Sequence, residues 1–390
     1  MARLLLAVSS LLVAAAVEEC PGDFRSDLGA DDGITLTKFL HGGFESRVYS
    51  GAYRGEAVAI KFSSGDDVAR WTTELEAMQS IHGSRLTKFY GAGECVLLDG
   101  DTGLPLMADP LLHSERIIFR FVLSELLTGE TLDTIKHRRC RAASSWNWSE
   151  RLRILCDIAE GMAQLHAQHY VHRDLKPANV VFQDDGRAQI ADYIGTGLLR
   201  EHFDPNEIDT IEKRRALLDV SKAWPGYGGT PPYMSPIAIA AFSWATNSGQ
   251  LRSLQRRVSA TADEKSKARS KNLRDFLASL SSSDGAPLPG DLVGRRPRGI
   301  WHSADAYAFG VILWEILTCE PPLQQGHNQR DIELMFARVQ LGERPPVADA
   351  DTDAAPAGYV ALMRELWHHD PVVRPTFAEA LRRLQTMSVV

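Results

Sequence analysis

The sequence is poor in cysteine, in basic excess and in long apolar runs. Its 5 cysteines, at positions 20, 95, 140, 156 and 319, are scattered and form no metal-ligand pattern. The 43 Lys and Arg stand against 50 Asp and Glu, a net charge of −7, which argues against nucleic acid as the main partner. After the first 16 residues no apolar run approaches the roughly 20 residues that a bilayer span needs. No internal repeat divides the chain. What remains is an ordinary globular balance, 44% apolar and 24% charged, with ample material for a core. A length of 390 residues fits one large domain or two.

Residues 1–16 read as a secretory signal peptide. Met1-Ala2-Arg3 is a short positive start, Leu4 to Val13 is almost entirely apolar, and Ala14 and Ala16 occupy the positions that a signal peptidase inspects. Residues 17–33 read as a polar leader. The expected location is the lumen of the secretory pathway or the cell exterior, with no integral membrane segment after cleavage; without the signal it would be cytoplasmic. Asn147-Trp148-Ser149 fits a glycosylation acceptor, which suits that route. One or two disulfides fit an oxidising lumen, leaving at least one thiol over. Cys156 and Cys319 fall within apolar helical patterns and read as buried thiols.

Strand patterns at 35–43, 47–53 and 57–62 are separated by glycine turns, as in an antiparallel meander. Helical spacing follows over 66–81, then two more strands at 86–96 and 117–124. Beyond Leu127 the pattern is mostly helical. Leu152, Leu155, Ala159, Met162 and His166 share one helix face, and Trp148-Ser149-Glu150 reads as its capped start. Residues 307–317 are apolar all round, the mark of a buried central helix. Residues 239–300 are rich in Ser, Ala, Arg and Lys and read as a low-complexity surface insertion. Within 251–300, 11 Lys or Arg face 5 Asp or Glu. That charge keeps a loop soluble or attracts an acidic partner.

Chemistry-bearing motifs lie in a fixed order along this layout. They are Val58-Ala59-Ile60-Lys61, His172-Arg173-Asp174-Leu175-Lys176-Pro177-Ala178-Asn179, Ala191-Asp192-Tyr193, Gly229-Thr230-Pro231-Pro232-Tyr233-Met234-Ser235-Pro236 and Asp370-Pro371-Val372-Val373-Arg374-Pro375. Over residues 34–388 the chain resembles the eukaryotic-type protein kinase superfamily, Ser/Thr type, nearest its tyrosine-kinase-like branch. The resemblance implies an α+β, two-lobed fold. Residues 34–125 would form a five-stranded antiparallel N-lobe with one helix, and residues 126–388 a mainly helical C-lobe.

The resemblance also implies roles. Asp174 would orient the acceptor hydroxyl and take its proton, with Lys176 against the transferred phosphate and Thr230 aligning both. Lys61, paired with Glu74, would hold the α- and β-phosphates. Gly43, Val48, Ala59, Ser124, Glu125 and Leu127 would surround the nucleotide. Asn179 and Asp192 would ligate Mg2+ or Mn2+. The implied reaction moves the γ-phosphate of ATP to Ser or Thr of a protein substrate.

Four positions depart from the pattern. His41 and Ser46 stand where the phosphate-covering loop has glycine, Ile194 where the metal-binding motif has glycine, and Ile237 where an acid pairs with the buried arginine, here Arg374. His41, Ile194 and Ile237 motivate one alternative, a nucleotide-binding pseudokinase scaffold, and the secretory location motivates another, a kinase for small molecules or glycans. The 46-residue segment 192–237 carries Thr210, Ser221 and Thr230, hydroxyls open to modification. An unpaired Arg374 would cost several kcal/mol, so the sequence demands another acid or a local rearrangement.

Overall fold

The computed structural model describes residues 18–19, 34–42, 46–64, 80–97, 117–141, 146–192, 229–239, 263–264, 302–322, 329–371 and 373–387. Two compact units emerge, one of Met1–His82 with Thr87–Thr128, the other of Gly83–Leu86 with Gly129–Val390.

The first unit is a sheet. Strands β2 (Ile34–Gly42), β3 (Ser46–Tyr53), β4 (Glu56–Ser64), β5 (Phe89–Leu97) and β6 (Ile117–Glu125) are joined antiparallel in the order β5-β6-β4-β3-β2. A two-residue strand, β1 (Glu18–Glu19), adds parallel to β5 and has no counterpart in the sequence reading. Arg54 and Gly55, at φ 51° and 81°, form the two-residue turn between β3 and β4. Positive φ at both positions matches the strand twist. Alternation along β4 sends Val58, Ile60 and Phe62 into a core with Tyr49 and Leu123.

The second unit is mainly helical. Its helices are α1 (Leu132–Arg141), α2 (Trp148–Ala167), α3 (His302–Thr318), α4 (Gln329–Gln340), α5 (Asp349–Ala354), α6 (Tyr359–Leu366) and α7 (Phe377–Gln385). A short ribbon of β7 (Val180–Phe182) and β8 (Ala188–Ile190) accompanies them. Each buried face follows its sequence period. On α2, Leu152, Leu155, Ile158, Ala159, Met162 and Leu165 are buried. The α2 cap lies just before the expected 148–150: Asn147 Oδ1 accepts from the Glu150 N–H at 2.8 Å. Helix α3 is buried along nearly its whole length, as its unbroken apolar run requires. Among the described residues no helix is long and apolar enough to cross a membrane.

Cys319 is not a free thiol. It is bonded to Cys140, with Cα atoms 5.6 Å apart across a sequence separation of 179. The bond ties the end of α1 to the residue following α3. The apolar pattern that suggested burial of Cys319 belongs to α3 itself; Cys319 stands just beyond it in a left-handed turn, φ 60°. Cys156, half-buried on α2, is free.

Candidate active site

In the first unit the candidate nucleotide residues share one face of the sheet. Directly opposed residues on antiparallel strands point the same way. Val48 pairs with Lys61, and Ala59 pairs with Ser124. Lys61 and Ala59 alternate with the core-facing Val58, Ile60 and Phe62, so these four residues lie opposite the apolar cluster. Glu125 ends β6. Its N–H donates to Lys88 O at 2.9 Å, and its carboxylate accepts from the Lys88 N–H at 3.3 Å. Leu127 follows in the open chain beyond the strand. Gly43 and Glu74 lie outside the described residues, as do Ile194, Thr210 and Ser221.

In the second unit the structure brings Asp174, Lys176, Asn179 and Thr230 together. Asp174 Oδ1 accepts from Thr230 Oγ1 at 2.7 Å. Its Oδ2 accepts from Lys176 Nζ at 2.6 Å. Lys176 Nζ also donates to Thr230 Oγ1 at 2.8 Å, closing a triangle. Asn179 Nδ2 donates to the Asp174 backbone carbonyl at 2.8 Å and to its carboxylate at 3.3 Å. Local backbone geometry shapes each side of the contact, though Thr230 comes from 56 residues beyond Asp174. Pro177 starts a single 3-10 turn, Pro177–Asn179, that folds Asn179 back over Asp174. Thr230 is delivered by Gly229, whose φ of 136° suits glycine alone and whose Cα faces the Arg173 carbonyl.

Asp192 stands at the mouth of the β7–β8 ribbon. Val180 pairs with Ile190, and the Ala191 N–H donates to Asn179 O at 2.8 Å, so Asn179 and Asp192 are carried on adjacent strand ends. Asp192 has φ 59°, a left-handed conformation that Asp tolerates better than most residues. With Nδ2 committed to Asp174, the Asn179 side chain has its carbonyl oxygen to offer. That oxygen and the Asp192 carboxylate are hard donors, a set that fits Mg2+ or Mn2+.

Beneath the loop lies Asp305, 1% exposed in the first turn of α3. It accepts from the backbone N–H groups of His172 and Arg173, both at 2.8 Å, and from His166 Nε2 at 2.9 Å. Burial alone would raise its carboxyl, but the hydrogen bond and charge of His166, with His172 adding to them, hold it below the usual carboxylate range. Arg173 has φ 70°, so the loop is bent at the residue that Asp305 grips. His166 was visible in the sequence only as part of a helix face, and its role here was not.

A second network went unread in the sequence. Tyr233, in the 3-10 turn Pro231–Tyr233, donates its hydroxyl to Glu315 Oε2 at 2.8 Å. Lys136 of α1 donates to Glu315 Oε1 at 2.5 Å. Burial raises the Glu315 carboxyl, and Lys136 opposes the rise. The available signal was Glu315, the one carboxylate within the apolar run 307–317. Among the described residues Arg374 has no carboxylate within ion-pair range. It donates instead to the carbonyls of His368 at 2.8 Å, Ser303 at 2.8 Å and His369 at 3.2 Å. Its guanidinium stacks 5.2 Å from the Tyr307 ring centroid. Burial lowers it to about 9, which leaves it charged at neutral pH. Ile237 is buried at 1% exposure, an apolar residue in the core where an acid was expected.

The family model for protein tyrosine and serine/threonine kinase matches residues 34–219 and 296–384. The chain belongs to that family, within the eukaryotic-type protein kinase superfamily. It is 24% identical over 364 residues to a Dictyostelium discoideum protein named "probable LIM domain-containing serine/threonine-protein kinase", covering 92% of this chain and 27% of the relative. It is 23% identical over 363 residues to the dual specificity protein kinase shkC of the same organism, covering 90% and 51%. It is 25% identical over 267 residues to human receptor-interacting serine/threonine-protein kinase 1, covering 66% and 28%. The chain thus spans from about a quarter to a half of these relatives' lengths.

Proposed function

We propose that this chain is an active protein serine/threonine kinase that moves the γ-phosphate of ATP to hydroxyls of protein substrates. The observation that carries it is the closed Asp174–Lys176–Thr230 triangle with Asn179 folded onto it. Asp174 orients the acceptor hydroxyl and takes its proton. Lys176, already beside that carboxylate, offers its ammonium to the transferred phosphate. Thr230 links the peptide-receiving segment 229–236 to Asp174. In the first unit Lys61 takes the α- and β-phosphates, with Glu74 as its partner. Val48, Ala59 and Ser124 line the adenine face, Glu125 and Leu127 supply its backbone contacts, and Gly43 covers the phosphates. Asn179 and Asp192 hold the metal ion. When bound, the metal nucleotide supplies the phosphoryl group and neutralises charge on its oxygens.

Arg374 supports activity over a scaffold role. Its donors are satisfied without the missing acid, so Ile237 leaves no orphaned charge under the platform. Purified protein given radiolabelled ATP and magnesium is expected to label itself or a generic basic protein on Ser or Thr, and Asp174→Ala to lose the label. Equal signals from both proteins would overturn the enzyme reading. Retained nucleotide binding without transfer would mark a scaffold instead. Label on a glycan acceptor alone would mark a small-molecule kinase.

The location we propose is the secretory lumen. The residue 1–16 pattern supports it, and so does the Cys140–Cys319 bond, since stable disulfides belong to oxidising compartments. A reporter fused behind the N-terminal segment is expected in the lumen; a cytosolic reporter would remove the assignment.

A further inference from the structure

The chain has asparagine at positions 147, 179, 206, 247, 272 and 328, and only Asn147 is followed two residues later by Ser or Thr. We infer that Asn147 carries an N-linked glycan, a proposal that rests on the lumenal location above. The local geometry separates the tripeptide into an anchor and two outward groups. Trp148 turns inward, its ring edge-on to Tyr359 at 4.9 Å and covered by the Arg151 guanidinium at 4.9 Å. Asn147 and Ser149, on either side, are exposed. The acceptor amide and the hydroxyl that a transferase reads are therefore both presented to solvent by a fixed helix start.

The atoms of Asn147 are divided between two uses. Oδ1 caps α2 by accepting the Glu150 N–H at 2.8 Å. Nδ2, the atom that a glycan joins, has no partner among the described residues. In the transfer, Nδ2 forms a bond to the anomeric carbon of an oligosaccharide carried on a polyprenyl pyrophosphate. The bond from that carbon to the pyrophosphate oxygen breaks, the pyrophosphate leaves with the electron pair, and the amide gives up one proton to the medium. The side-chain carbonyl survives, so the cap and the sugar coexist.

The placement spares the catalytic loop. Helix α2 runs 20 residues from Trp148 to Ala167, about 30 Å at the usual rise, and the loop follows its far end. The near end is the one marked by oxidising chemistry. Glu150 in the first turn of α2 pairs with Arg139 at 3.0 Å, and the next residue, Cys140, carries the disulfide.

The test expresses the full chain in a eukaryotic secretory cell line, once with its own N-terminus and once behind a cleavable heterologous signal. Peptide N-glycosidase F is expected to produce one downward mobility step, with conversion of Asn147 to Asp seen by mass spectrometry. Ser149→Ala should lose the step and Ser149→Thr should keep it. Neither touches the cap, and unchanged thermal melting of both would show that folding is intact. No step in either expression arm, or a step that persists in Ser149→Ala, would overturn the proposal. A step only behind the heterologous signal would uphold the glycan site and overturn the lumenal location.

Discussion

Asp305 and Arg374 are two buried charges held at the same helix start by opposite means. Both meet the first turn of α3. Asp305, 1% exposed, gathers two backbone N–H groups and one imidazole. Arg374, 6% exposed, gathers three backbone carbonyls and the face of Tyr307. The anion sits where the helix dipole favours it. The cation gains no such help, and Arg344, stacked on the same ring at 4.9 Å, opposes it. The partners also differ in what they do. Two of those of Asp305 belong to the loop that carries Asp174 and the third, His166, to the end of α2, whereas those of Arg374 are loop and helix-start carbonyls with no assigned chemistry. The anion therefore couples stability to function, and the cation is a matter of packing.

Removing the anion should do most to break this contrast. Asp305→Ala orphans the N–H groups of His172 and Arg173 and is expected to cost about 3–5 kcal/mol in urea unfolding, with radiolabel transfer falling to background. Ile237→Glu comes next. The Arg374 donors are already occupied, so a carboxylate at this buried position should destabilise by on the order of 3 kcal/mol; a gain in stability would show that Arg374 still accepts an acid. Arg374→Met should cost less, about 1–2 kcal/mol, because an apolar replacement leaves only carbonyls to re-satisfy. Label transfer should persist in it.

The smallest effect is a pH dependence. The folded Asp305 carboxyl titrates below its unfolded value, so its contribution is complete above the ordinary carboxylate range of about 4. It is lost as pH falls through the folded value. Melting temperature should drop more steeply on acidification in wild type than in Asp305→Ala. Equal slopes would remove Asp305 as the source.

Much of this contrast was half-legible beforehand. The grouping of Asp174, Lys176, Asn179 and Thr230 was readable from the motifs that carry the family resemblance; local geometry at Pro177 accounts for Asn179, but Thr230 lies 56 residues from Asp174. The strands were readable from alternation, and α3 from its unbroken apolar run. The partners of Arg374 were not, since a backbone carbonyl has no letter of its own. The sequence posed the question which acid replaces Ile237's missing carboxylate, and among the described residues none does. The Tyr233–Glu315–Lys136 network was hidden for another reason. Its members lie 179 and 82 residues apart, and no local spacing relates them.

The disulfide has a consequence for synthesis. Cys140 leaves the ribosome 179 residues before Cys319, roughly 10–35 s at ordinary elongation rates. Through that interval Cys156 is the nearer thiol. In the finished fold burial, with Asp157 adding to it, pushes the Cys156 thiol up to about 11, so little of it is in the thiolate form that attacks disulfides. Once α2 is packed, the nearer thiol no longer competes with Cys319 for Cys140.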